Sequence, residues 1–333
     1  MMNARQIQDI ISDAVNFIIE NQLASGAIPY YQDGVTDPWD HVACAMALDV
    51  CGRFKASHQA YQWLRKIQNP DGSWYYNYQD NKPIEMTKDS NHSSYVASGV
   101  WHHYLVTHNK SVLREMWDMV ERGINFTISL QQPSGEIFWA LDTKGNMWPS
   151  APLAGCACIW KSIQDAIKIA GVLRLKRPEW QEAANRLQKA ITEKPHLFNR
   201  LGDNQRGYAM GWYYPVLTGV SQGKQAQIQI DKEWQNFVID GWGCKCTLDH
   251  TWVTIAETCE LIMALIKIGD YSRAKKLLNW VLDQRDPDGG FWTGIKVPEK
   301  IIYPVGEKNT WTAASVILAT MASIGGEAVS DLF

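Results

Sequence analysis

The chain has 333 residues, 46% of them hydrophobic and 20% charged, with a formal net charge of -3. That length buries a large core, as one big domain or two ordinary ones. The apolar, aromatic composition excludes intrinsic disorder, and the charge leaves no basic footprint for a nucleic-acid partner.

No stretch approaches the roughly 20 uninterrupted apolar residues of a membrane span, so no integral membrane segment is expected. Residues 1–20 lack the basic-then-apolar layout of a signal peptide and read as an amphipathic helix, which makes the cytoplasm the expected compartment. The seven cysteines include the pairs Cys156/Cys158 and Cys244/Cys246. An odd count argues against a disulfide framework, and C-x-C is not the common zinc spacing. Free or buried thiols are expected, with no metal and no cofactor. The unusual numbers are 16 Trp and 13 Tyr. Flat rings with a polar edge suit sugars or isoprenoid chains as well as a core.

Periodicity predicts helices at 4–23, 38–52, 57–68, 90–107, 111–131, 155–173, 178–193, 207–220, 222–236, 251–268, 272–284 and 308–325. Ala60, Trp63, Leu64 and Ile67 carry the third, and Ile255, Cys259, Ile262, Met263 and Ile266 the tenth. Period-two strands are absent, apart from short aromatic runs such as Trp74 to Tyr78. Connections at 53–56, 108–110, 174–177, 221 and 269–271 are short; those at 24–37, 69–89, 132–154, 194–206, 237–250 and 285–307 are long. Strict alternation describes six helical hairpins in a closed double ring. The expected fold is therefore all-α, an (α/α)6 toroid filling one domain over 1–333.

A repeat runs along the same chain: an apolar helical stretch, Gln, a turn with Gly, then an aromatic. It reads Gln22…Gly26…Tyr30, Gln68…Gly72…Trp74, Gln131…Gly135…Trp139 and Gln284…Gly289…Trp292. The second helix of each pair is the less charged and is expected to form the inner ring. Each long loop then enters the N-terminus of an inner helix, and these N-termini should open on one face around a central cavity.

That face collects aromatics and carboxylates. The first loop supplies Asp37, Trp39, Asp40 and His41; the second Trp74, Tyr76, Tyr78, Asp89, Asn91 and His92; the third Glu136, Trp139, Asp142 and Trp148. The fourth supplies Arg206, Tyr208, Trp212, Tyr213 and Tyr214; the fifth Trp242, Asp249, His250, Trp252 and Glu257; the sixth Trp292, Glu299, Glu307, Asn309 and Trp311. Carboxylates bind hydroxyls in pairs, and two of them run acid/base chemistry on a glycosidic bond. Duller roles compete: Asp37 and Asp89 also suit helix caps, and Asp40 suits the positive end of a helix dipole. A desolvated Glu136 would have a raised pKa and could act as an acid.

The run Asp37-Pro-Trp-Asp40-His-Val-Ala-Cys-Ala-Met-Ala-Leu-Asp49, followed by Gln68-Asn-Pro-Asp-Gly-Ser-Trp74, resembles the start of the catalytic domain in glucoamylase-like six-hairpin glycosidases. The resemblance implies that Asp40 binds sugar in the innermost subsite and that Glu136 stands where the general acid stands. Two departures accompany it. Trp39 replaces the family's Arg, and Gly289-Gly-Phe-Trp-Thr293 lacks the family's general-base Glu, leaving Glu299 or Glu307 later in that loop. The Gln–Gly–Trp repeat is also similar to the QW-type repeat of terpenoid-cyclase and protein-prenyltransferase toroids, but the acidic motif and zinc ligands of those enzymes are missing.

The expected function is metal-free hydrolysis of a glycosidic bond in a small-molecule or oligosaccharide substrate. Glu136 is the candidate acid and Glu307 the candidate base. Trp39, Asp40, His41, His92, Trp139, Tyr213, Trp252, Glu257, Trp292 and Trp311 are the candidate substrate-binding residues. The alternatives are a terpenoid-cyclase- or prenyltransferase-like enzyme holding an isoprenoid, and a non-catalytic binder of glycan or lipid.

Overall fold

The computed structural model describes residues 4–199 and 207–325. Arg206 of the fourth loop lies outside them. Among the described residues the helices are α1 (Ala4–Asn21), α2 (Pro38–Val50), α3 (Phe54–Ile67), α4 (Ser90–Thr107), α5 (Lys110–Ser129), α6 (Leu153–Val172), α7 (Pro178–Glu193), α8 (Met210–Leu217), α9 (Gly223–Phe237), α10 (Ile255–Lys267), α11 (Tyr271–Asp283) and α12 (Thr310–Ser323). Asp37, Asp89 and Asn309 cap α2, α4 and α12, each side chain accepting from a backbone N–H of the first turn.

Helices α2, α4, α6, α8, α10 and α12 pack in succession, and α12 returns to α2. This closes the inner ring of an (α/α)6 toroid. The inner helices are buried nearly all round, as α2 is from His41 to Asp49. The outer helices are amphipathic; α7 buries only the stripe Trp180, Ala183, Ala184, Leu187 and Ala190.

The Gln–Gly repeat has a physical role. Gln22 Nε2 donates to Gly26 O (3.1 Å) and to Ala56 O (2.9 Å). Gln68 Nε2 donates to Gly72 O and to Met119 O, both at 2.9 Å. Gln131 Nε2 donates to Gly135 O (3.0 Å) and to Ala183 O (2.9 Å). One amide thus closes its own turn and staples its outer helix to the next, α1 to α3, α3 to α5 and α5 to α7. The fourth copy departs from this scheme. Gln284 donates to Trp242 O and Trp280 O, and the Arg285–Asp13 ion pair joins the α11 end to α1.

Two helices differ from expectation. Helix α8 is shorter than 207–220: Pro215 lies inside it, and Tyr208 forms a bridge with Thr247 instead of a first turn. Helix α10 begins at Ile255 because Trp252–Thr254, aromatic and β-branched, forms a strand.

Short antiparallel strands decorate the long loops: β1 (Tyr75–Gln79), β2 (Lys82–Asp89), β3 (Ala140–Leu141), β4 (Met147–Trp148), β5 (Val238–Ile239), β6 (Gly243–Cys244), β7 (Trp252–Thr254), β8 (Gly294–Lys296) and β9 (Ile301–Ile302). The first four form one sheet in chain order. Asp89 lies opposite Ala140, and Ala140 opposite Trp148. Directly opposed residues share a face, so the register puts Asp89 and Trp148 on the same side of the sheet, toward the ring axis.

Candidate active site

The N-termini of α2, α4, α6, α8 and α12 and the first three long loops line a cavity of about 720 Å3, to which the start of α10 contributes no residue. Its aromatic walls are Tyr30, Trp39, Tyr76, Trp139, Trp148 and Trp311. Four rings form a ladder from solvent inward. Trp148, 51% exposed, meets Trp139 at 5.4 Å between centroids; Trp139 meets Tyr76 edge-on at 6.4 Å; Tyr76 stacks on His92 at 4.9 Å. At the floor Trp39 stacks on Tyr95 at 4.6 Å. Such flat apolar faces fit the C–H face of a pyranose.

The polar groups gather on the side of α2 and α4: Asp37, Asp40, Asp89, Asn91 and His92. Among the described residues, no Lys or Arg lines the cavity. Asp37 caps α2 by accepting from the Asp40 N–H (2.9 Å), which brings the two carboxyls together. Burial pushes the Asp40 carboxyl well above the usual range; the charge of Asp37, a hydrogen bond to it and the charge of Glu260 push the same way. Burial also raises Asp89, partly offset by His92 and by the backbone N–H groups of His92 and Asn91. His92 is 8% exposed, and its Nδ1 has no hydrogen-bond partner among the described residues.

Beneath the floor, Glu260 accepts hydrogen bonds from Tyr213 OH (2.5 Å) and Tyr214 OH (2.6 Å). Burial pushes its carboxyl up to about 8 from an ordinary 4.5, despite those two donors. A raised acid contributes stability that is complete below pH 4.5 and is lost as pH rises through about 8. The thermal midpoint of Glu260→Gln is therefore expected to gain on that of the wild type as pH rises from 5 to 8. A constant difference across a pH series of melting curves would contradict this.

The cavity brings together Trp39, Asp40, His92, Trp139 and Trp311 from the expected site, together with Asp37, Tyr76, Asp89, Asn91 and Trp148 from the loop reading. The other expected residues stand outside its lining. His41 is structural: Nδ1 accepts from the Ile28 N–H (3.1 Å) and Nε2 bonds Ala60 O (3.0 Å), which ties α2 to the first loop and to α3. Glu136 is 2% exposed, on the turn where Gly135 abuts α7. Glu307 sits behind the wall. Its Oε1 accepts from Thr293 Oγ1 (2.7 Å), which accepts from Asn309 Nδ2 (2.6 Å), and that amide also donates to the hydroxyl of the lining residue Tyr30 (2.8 Å).

Tyr213 is fully buried, with its hydroxyl spent on Glu260. Glu257 lies at the start of α10 and accepts from Thr254 Oγ1. Trp252 donates to Tyr303 O (2.9 Å) in the β7–β8–β9 sheet, and Trp292 carries the Lys308 ammonium over its ring at 4.4 Å. Asn77, Gly155 and Met210 line the cavity and were not singled out from sequence, and Tyr30, which was named only as the aromatic of the first repeat, lines it too. Tyr30 and Met210 do sit on the first long loop and at an inner-helix start, the signal that found the others.

No protein-family model matches the chain. The fold is shared with solved carbohydrate-active proteins. A glycosidase solved with glucose matches with a TM-score of 0.77 at 14% identity, covering 98% of this chain and 99% of that one. A D-mannose isomerase matches with a TM-score of 0.72 at 11% identity, covering 97% and 98%. A sugar epimerase from a ruminal bacterium matches with a TM-score of 0.70 at 10% identity, covering 96% and 99%. In sequence the chain is 41% identical over 318 residues to the MMP endo-(1,4)-3-O-methyl-alpha-D-mannosidase of Mycolicibacterium hassiacum, across 96% of this chain and 85% of that protein. An acid-lined aromatic cavity on this fold, with identity of that extent, leads to one conclusion: the chain belongs to the family of that mannosidase and is a glycoside hydrolase.

Proposed function

We propose that the chain cleaves an internal α-(1,4) bond between 3-O-methyl-mannose units, with the scissile bond held over Asp40. The observation that carries this reading is the Asp37–Asp40 pair, joined through the Asp40 N–H, in an aromatic cavity without a lining cation among the described residues. It is supported by the linkage and the methyl ether in the name of the mannosidase relative. A cradle for an isoprenoid fits less well, because a hydrocarbon chain would desolvate the lining carboxyls of Asp37, Asp40 and Asp89 and offer them no hydrogen bond in return.

In this reading Asp40 gives its proton to the glycosidic oxygen as the bond from that oxygen to the anomeric carbon breaks. A water adds to the anomeric carbon and passes a proton to a second carboxylate, so proton and bond counts balance. Asp37 is too near Asp40 to be that base. Acid and base are about 5–5.5 Å apart in retaining glycosidases and about 6.5–9.5 Å apart in inverting ones, whereas Asp37 hydrogen-bonds Asp40. Asp37 instead holds the Asp40 proton in place. Asp89, facing the cavity from the end of β2, is the base in this scheme.

The test is direct. The protein is incubated with a 4-linked 3-O-methyl-α-mannoside octamer, and products are followed by mass spectrometry and proton NMR. Internal fragments with a new reducing end are expected. An octamer left intact while the protein remains folded would refute the proposal.

A further inference from the structure

Tyr30 lines the cavity from the first long loop, and the start of α12 holds that loop from behind. The Thr310 N–H donates to Tyr30 O (2.8 Å), and Thr310 Oγ1 donates to Pro29 O (2.8 Å). The side chain is held as well, because Asn309 Nδ2 donates to the Tyr30 hydroxyl oxygen (2.8 Å).

The direction of that last hydrogen bond follows from its neighbours. Asn309 caps α12, and its Oδ1 accepts from the Thr312 N–H (2.7 Å). A backbone N–H only donates, so the other end of the amide is Nδ2, a donor with two protons. One goes to Tyr30 and the other to Thr293 Oγ1 (2.6 Å). Thr293 spends its own proton on Glu307 Oε1 (2.7 Å), so it takes from Asn309 and gives nothing back. Glu307 ends the chain as an acceptor.

A phenol hydroxyl has one proton. With Asn309 donating to the oxygen, that proton turns away from Asn309, to the cavity side of the hydroxyl. Burial pushes the phenol well above its ordinary range, and the charges of Asp40, Glu307 and Asp37 push the same way, so the proton stays in place. The hydroxyl therefore lies within electrostatic reach of the Asp37–Asp40 pair.

We infer that Asn309, backed by Thr293 and Glu307, is a positioning residue that aims the Tyr30 hydroxyl proton into the cavity, where it donates to a sugar oxygen beside the bond handled by Asp40. The inference rests on the hydrolase reading above, and it gives Glu307 a task outside the proton transfers.

Asn309→Asp tests this by reversing one hydrogen bond. An ionised aspartate caps α12 as asparagine does, but its second oxygen only accepts. Tyr30 would then turn its proton back to residue 309 and away from the substrate. Asn309→Ser also caps the helix but offers Tyr30 no carboxylate. Values of kcat/KM on the methylated octamer are compared for the wild type, Tyr30→Phe, each Asn309 variant, and each Asn309 variant combined with Tyr30→Phe, with melting curves to show which are folded. Tyr30→Phe and Asn309→Asp are each expected to lose about tenfold, the worth of one hydrogen bond, and Asn309→Ser less. In the Tyr30→Phe background neither Asn309 change should lower the rate further. Full activity in Tyr30→Phe would overturn the inference and leave the hydrolase reading standing. Losses that multiply in either double variant would do the same, and the serine double variant reads this even if the aspartate does not fold. A wild type that leaves the octamer intact would overturn the hydrolase reading and this inference with it.

Discussion

Asp40→Asn is expected to lower kcat on the methylated oligosaccharide by about 10²–10⁴-fold, the range typical of a lost general acid. The loss should depend on the leaving group. A mannoside with a dinitrophenol leaving group needs no protonation of the departing oxygen, so on it Asp40→Asn should keep most of the wild-type rate. The pH profile follows from the same proton. Asp40 holds it well above the ordinary carboxylate range, because burial, Asp37 and Glu260 all disfavour the charged form. The limb set by Asp40 therefore falls as pH rises through that elevated value, while the need for an ionised Asp89 sets a rising limb at lower pH. Steady-state kinetics on both substrates check this. An equal loss on the aryl mannoside and the oligosaccharide would assign Asp40 to positioning instead of proton transfer.

The second large effect concerns the repeat and not the chemistry. Gly72→Ala is expected to cost about 4 kcal/mol or more, the magnitude reserved for severe steric or backbone conflicts. Gly72 has φ +91, and a Cβ there would fall 2.2 Å from the carbonyl oxygen of Arg122 and 2.6 Å from its carbonyl carbon. Backbone cannot move aside as a flexible side chain can. Relief would push α3 away from α5 and stretch the Gln68-to-Met119 hydrogen bond that joins them. Gly171→Ala is the control. It lies inside α6 with no foreign atom within 4 Å of its Cβ position, and it should gain up to about 1 kcal/mol in helix propensity. Urea unfolding of both variants separates the two cases. A cost below about 1 kcal/mol at position 72 would mean that the outer helices are not held by these turns.

Gly26 repeats the geometry against Gln59 O at 2.2 Å, and Gly135 against Arg186 O at 2.7 Å. The sequence repeat is therefore legible as architecture: Gln, because an amide can donate twice, and Gly, because the next helix passes too close for a Cβ. Helix number and loop alternation were legible for a related reason. Apolar period and Pro–Gly turns are local signals, and closure of the ring follows once six hairpins must all bury their inner faces.

The site was legible only in part. Asp37, Asp40, Asp89 and Asn91 sit at helix starts, where chain position alone fixes direction toward the axis. Glu136 and Glu307 lie on turns, where one backbone twist decides whether a side chain faces the cavity. The Gly135 turn buries Glu136, and Thr293 holds Glu307 behind Tyr30. Tryptophan count carried a similar ambiguity. Trp63, Trp74 and Trp180 are core residues whose indole N–H groups bond Asn81, Leu64 O and Asn125, while Trp39, Trp139, Trp148 and Trp311 line the cavity. Nothing in composition separates the two sets.

One crystal structure tests the central claim most directly: Asp40→Asn bound to a 4-linked 3-O-methyl-mannoside tetrasaccharide. The expected result is a glycosidic oxygen within hydrogen-bonding distance, about 3 Å, of the residue-40 side chain, with sugar rings along Trp139 and Trp148. A tetrasaccharide ordered elsewhere on the molecule, or one inside the cavity with its linkages turned away from residue 40 and toward Glu307 or Glu136, would contradict it.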